Sequence, residues 1–93
     1  MPFDGSGLDD VTKLLIEGRD RIERGWCRNR LQWNGAVCML GAIGWGERPS
    51  ARQLAARNRL ARAIGTYHVP RWQDAPERTK TDVLAAYDAA IAG

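Results

Sequence analysis

Trp26-Cys-Arg-Asn-Arg-Leu-Gln-Trp-Asn-Gly-Ala-Val-Cys-Met-Leu40 is the stretch on which the fold turns. Its centre, Asn34-Gly35, is a tight-turn signal, because both residues accept the positive φ angles of a two-residue hairpin loop. One reading pairs residues 31–33 with residues 36–38 as a short hairpin. The other ends a loop there and leads into a helix. A two-stranded hairpin is marginal in water unless it packs on helices. The reading adopted is a small turn or hairpin, then a short helix over about residues 37–44. Gly41, Ala42 and Gly44 would let that helix approach a neighbour closely.

Outward from this stretch the chain reads as helix. Upstream, Val11, Leu14, Leu15, Gly18 and Ile22 recur at helical spacing, which predicts a helix over residues 8–24 closed by Gly25. Ser6 with Asp9 resembles a capping box at its start. Residues 1–7 read as a flexible lead-in. Glu17 with Arg21, and Asp20 with Arg24, are acid-before-base pairs four apart on the outer face. Downstream, residues 44–49 form a loop. Ser50 with Gln53 then caps a helix over residues 51–64 that stops at Gly65. Its inward stripe is Leu54, Ala56, Leu60, Ala63 and Ile64. Residues 66–77, with His68, Pro70, Trp72 and Pro76, read as an irregular connection. Thr79 with Asp82 caps a last, Ala-rich helix to residue 92, with Val83, Leu84, Tyr87 and Ile91 on one side. The expectation is a mostly α protein. It is a compact bundle of about four helices with one short hairpin or irregular segment near residues 26–38, in a single domain over residues 8–92.

A chain of 93 residues buries little more than ~60% of its unfolded surface, so large apolar side chains matter disproportionately. Trp26, Trp33, Trp45 and Trp72 are expected to supply a large share of the core, with one or two at a partner surface as the competing reading. Fourteen Lys plus Arg against eleven Asp plus Glu give a net charge of +3, and all the basic residues except Lys13 and Lys80 are Arg. Arg presents a planar fork suited to carboxylates, phosphates and aromatic faces. No secretory leader opens the sequence, and no apolar run approaches the ~18 residues that cross a bilayer. A cytoplasmic protein with no membrane attachment and reduced thiols is expected.

Few residues suggest chemistry. Cys27, Cys38 and His68 are the only soft ligands and lack the paired spacing of a zinc site, so neither metal nor cofactor is expected. A Cys27–Cys38 disulfide is sterically conceivable in a hairpin, and the compartment argues against it. A thiol-dependent hydrolase would use Cys27 or Cys38 with His68 as base and Asp74 as orienter. No glycine-rich phosphate loop or nucleophile elbow is present. Arg52, Arg59 and Arg62, with Arg48 upstream, form a candidate anion or nucleic-acid face. Arg28 and Arg30 near Trp33 form a second. Duplex DNA fits poorly, given the low net charge and no recognition-helix pattern. Trp45, in a Gly-Trp-Gly loop, reads as a partner anchor, and the Ala-rich last helix could pair with its copy.

Arg24-Gly-Trp-Cys27, Gly35 to Cys38, Gly41-Ala42, Trp72-Gln-Asp74, Arg78-Thr79, Val83-Leu84 and Asp88 to Ile91, in that order, resemble an uncharacterised family of small bacterial and phage proteins known only as a domain of unknown function. The resemblance covers roughly residues 11–92 and implies a compact, largely helical domain. Gln73 stands where the resemblance implies Asn. The functional expectation is a small non-catalytic binding module. It would be an accessory protein that inhibits a partner protein or sequesters a nucleotide-like anion through Arg28, Arg30, Trp33, Trp45, Arg48, Arg52, Arg59 and Arg62.

Overall fold

A computed structural model describes residues 9–93; the lead-in and Ser6 lie outside them. The elements are α1 (Asp10–Arg24), β1 (Gln32–Trp33), β2 (Ala36–Val37), α2 (Ala51–Ile64), α3 (Val69–Gln73) and α4 (Lys80–Ala92). Asp9 itself caps α1, its carboxylate accepting the Thr12 N–H at 2.6 Å. Ser50 with Gln53 and Thr79 with Asp82 each close a reciprocal capping box on α2 and α4. Gly65 ends α2 at φ 82°, a left-handed position that glycine occupies without steric cost.

Three long helices make the body. α1 packs on α4 and α2, and α2 packs on α4. Leu15, Ile22, Met39, Ile43, Leu60, Val69, Val83 and Tyr87 are fully buried between them. Ala86 and Ala90 are the small buried residues of α4, so neighbouring helices can come close. A Cβ on Gly18 would meet the Tyr87 ring at 2.9 Å, so this glycine of α1 makes room for the ring. No helix among the described residues is long and apolar enough to cross a membrane.

Asn34 and Gly35 take φ angles of 49° and 86° and join β1 to β2 as an antiparallel hairpin, with Trp33 opposite Ala36 and Gln32 opposite Val37. Trp26 bridges Val37 on its other side, in parallel. The hairpin is therefore stitched to the end of α1, which supplies the packing that an isolated hairpin lacks.

Several expectations need correction. The helix expected over 37–44 is a strand followed by a single 3-10 turn, Gly41–Ile43. There the chain lies against the loop before β1, so closely that a Cβ on Gly41 would overlap the Leu31 carbonyl oxygen. The connection expected to be irregular over 66–77 contains α3, begun by Val69 and Pro70, where proline is preorganised for a helix start. α2 buries Ala56, Leu60 and Ala61, leaving Leu54 39% exposed. Its small residues thus sit where other helices approach. The central aromatic is Tyr87, the largest fully buried side chain; Trp26, Trp45 and Trp72 are half-buried and Trp33 is 56% exposed. Each tryptophan carries an arginine: Arg28 over Trp26, Arg30 over Trp33, Arg57 over Trp45 and Arg78 over Trp72. A ring with a guanidinium on one face belongs at the boundary of the core, and this arrangement uses the arginine-rich composition.

Candidate functional site

The segment from Gly25 to Trp45 is joined by seven backbone hydrogen bonds of its own besides the hairpin, and α3 adds side-chain bonds to it. Gln73 is 1% exposed and uses its whole amide. Its Oε1 accepts from the Trp26 indole N–H and, at 3.0 Å, from the Met39 N–H. Its Nε2 donates to the Cys27 carbonyl at 3.3 Å and to Asp74 Oδ1 at 2.6 Å. Asp74 Oδ1 also accepts the Asn29 N–H at 2.8 Å. Asp74 thus reaches a backbone N–H that lies 45 residues earlier in the chain. Asn29 has φ 66°, a left-handed conformation that asparagine tolerates better than most residues. From the opposite side Tyr87 donates its O–H to the Met39 carbonyl at 2.5 Å. Arg28 donates to the Arg78 and Pro76 carbonyls, tying the same segment to the approach of α4.

Between this segment and α3 lies a cleft of about 210 Å³. Asn29, Arg30 and Leu31 form one wall, Cys38, Met39 and Leu40 the floor, and Val69, Pro70, Gln73 and Asp74 the other wall. Leu31 and Trp33 are 42% and 56% exposed beside it, with the Arg30 guanidinium 4.5 Å above the Trp33 ring.

Both cysteines are free thiols at intermediate burial. Burial pushes the Cys38 thiol up, more than the Gly41 N–H donated to its Sγ at 3.3 Å lowers it. Cys27 is pushed up by burial and then by the neighbouring Cys38, and its thiol lies 3.6 Å from the Arg30 carbonyl. Protonated thiols are poor nucleophiles at neutral pH. His68 is exposed, and no hydrogen bond joins it to Cys27, Cys38 or Asp74 among the described residues. Nor, among them, do three His, Cys, Asp or Glu side chains converge as a metal site would need.

The arginines expected on one face of α2 have separate duties. Arg52 pairs with Asp10 at 3.2 Å on the surface. Arg59 turns inward, its side chain 15% exposed; it donates to the Ala90 carbonyl at 2.6 and 3.0 Å, to Ile91 O at 3.1 Å and to Thr12 Oγ1 at 2.9 Å. It thereby satisfies carbonyls at the C-terminus of α4, where positive charge is favoured. Arg62 and Arg48 are exposed. Arg28 and Arg30 stack on Trp26 and Trp33 respectively, rather than both on Trp33. On α4, Ala85 and Ala89 face outward. Sequence reasoning passed over Arg57, which lies 5.6 Å from the Trp45 ring centre and 5.8 Å from that of Tyr67. It also missed the cleft residues Asn29, Leu31, Leu40, Val69 and Pro70. The one signal was Gln73, a polar residue next to Trp72 at a position where the resemblance implies another amide.

A family model described as "Family of unknown function (DUF6197)" matches residues 8–93, and the chain belongs to that family. No curated protein and no solved structure matches it.

Proposed function

We propose that this member of a family of unknown function is a non-catalytic binding module whose cleft takes an apolar anchor residue of a partner protein, with an acidic residue beside it. One observation carries the reading: of the polar groups that line the cleft, the buried Gln73 amide and Asp74 Oδ1 are already occupied. Gln73 makes four hydrogen bonds and Asp74 Oδ1 accepts two. What remains for an incoming group is the apolar surface of Leu31, Leu40, Val69 and Pro70. At about 210 Å³ the cleft is smaller than pockets for drug-sized ligands, and it suits a single side chain. Charge favours an acidic neighbour on the partner. Arg30 lines the wall and Arg71, next to Pro70, is exposed. Exposed Leu31 and Trp33 extend the apolar contact beyond the cleft, as aromatic anchors at interfaces do. The raised thiols speak against a hydrolase built on Cys27 or Cys38. A cytoplasmic accessory protein of bacterial or phage origin that inhibits its partner is the setting this reading expects.

The test is selection from a random peptide library on the whole chain. Enriched peptides should carry a large apolar residue next to Asp or Glu. They should lose binding to Leu31→Asp and Pro70→Asp variants whose circular dichroism is unchanged. No enrichment, or enrichment indifferent to both substitutions, would overturn the proposal.

A further inference from the structure

The loop after the 3-10 turn, α2 and the chain beyond it deliver three side chains to one place away from the cleft. Gln53 Nε2 donates to the Ile43 and Gly44 carbonyls at 3.2 and 3.0 Å, fastening the loop that carries Trp45 onto α2. Gly44, at φ 78°, lets the chain turn there. One turn further along α2 from Gln53 stands Arg57. The left-handed Gly65 then reverses the chain so that Tyr67, 66% exposed, comes back over Arg57. The guanidinium carbon lies 5.6 Å from the Trp45 ring centre and 5.8 Å from that of Tyr67.

Among the described residues, the half-buried arginines are Arg19, Arg28, Arg57, Arg59 and Arg78. Arg19 bonds Asp88 and Glu23, Arg28 bonds backbone carbonyls, Arg59 bonds the end of α4 and Arg78 bonds the Trp72 carbonyl. Among the described residues Arg57 makes no hydrogen bond, and its Nε, like that of Arg28, is shut away from solvent without a partner. Its terminal nitrogens are not shut away. Aromatic neighbours engage the faces of a guanidinium and leave its edge donors unused. A partly desolvated charge without a counter-charge is costly. Glu47, two residues from Trp45, forms no ion pair with it among the described residues.

We propose that Arg57, beside Trp45 and Tyr67, is a binding site for an oxyanion, gripped by its two terminal nitrogens in the paired geometry that carboxylates and phosphates offer. None of these three residues lines the cleft. The site therefore stands or falls independently of the protein-docking reading.

The experiment is NMR titration of the arginine side-chain N–H signals of the full chain, with sodium phosphate and sodium acetate against sodium chloride at matched ionic strength. The Arg57 signal is expected to shift and saturate with at least one of the two anions, more strongly than exposed Arg62. The stronger anion tells a phosphate source from a carboxylate source. Arg57→Lys, which keeps charge and stem and loses the fork, should weaken binding about tenfold, read from Trp45 fluorescence in a background with the other tryptophans changed to Phe. The proposal is overturned if neither anion shifts Arg57 beyond Arg62, or if Arg57→Lys binds as tightly as the parent. The wild-type titration decides the matter even if a variant fails to fold.

Discussion

The three long helices and the segment from Gly25 to Trp45 are built in contrasting ways. In α1, α2 and α4 the backbone satisfies itself, caps finish the ends, and a stripe of apolar residues does the packing. In the segment, the backbone's own bonds are supplemented by side chains that arrive from distant sequence: Gln73 of α3, Asp74 just after it and Tyr87 of α4. The first design spreads stability over many small contributions. The second adds a few concentrated contacts, and leaves beside them a cleft in which the Gln73 amide and Asp74 Oδ1 are already engaged.

If this contrast is right, the largest single effects should fall in the segment rather than in the helices. Gly41→Ala should be the most severe, because its Cβ would collide with the Leu31 carbonyl, which is backbone and cannot swing aside. A loss of about 5 kcal/mol, at the upper end for a point change, is expected in urea unfolding. A loss under about 1 kcal/mol would show that the segment is loosely held. Gln73→Leu comes next. It strands the Trp26 indole, the Met39 N–H and the Cys27 carbonyl together, and should cost about 3–4 kcal/mol. Hydrogen exchange should show amides 26–40 opening before those of α1 and α4.

Tyr87→Phe should cost about 1–3 kcal/mol, since it leaves the buried Met39 carbonyl without its O–H donor. It also carries a pH signature. Burial raises Tyr87 and both thiols, Tyr87 and Cys27 being raised further by the charge of Cys38. Groups raised in this way contribute stability that is intact below their unfolded values and is lost as pH rises. The loss therefore begins near about pH 8.5 for the thiols and about pH 10 for the phenol. Thermal melts should decline on the alkaline side, and Tyr87→Phe should flatten the decline above about pH 10. The smallest effect belongs to the helices. Ser50→Ala should cost about 1 kcal/mol, because it removes one cap bond from a helix held by many other contacts. A Ser50→Ala loss larger than that of Gln73→Leu would invert the comparison.

The arginines of α2 show the same division at the scale of single residues. Arg57 and Arg59 are two positions apart and both half-buried. Arg59 meets the bare carbonyls at the end of α4 and becomes part of the frame. Arg57 meets two rings and keeps its edge donors. Only the placement of α4 and of the Trp45 loop separates a capping residue from a candidate receptor.

The sequence by itself determined the three long helices, the capping boxes of α2 and α4 and the hairpin turn. Apolar spacing around Leu15 and Ile22, the pairs Ser50 with Gln53 and Thr79 with Asp82, and Asn34-Gly35 act within a few residues, where chain geometry alone decides the outcome. Tertiary structure decided the rest. It stopped the chain after Val37 from continuing as a helix, made α3 from Val69-Pro70, and brought Tyr87 rather than a tryptophan to the centre. It also gathered the cleft around Gln73 and left Arg57 without an oxygen partner. Each of these depends on which groups meet across tens of residues, and a one-dimensional pattern carries the periodicity of a face but not the identity of what will lie against it.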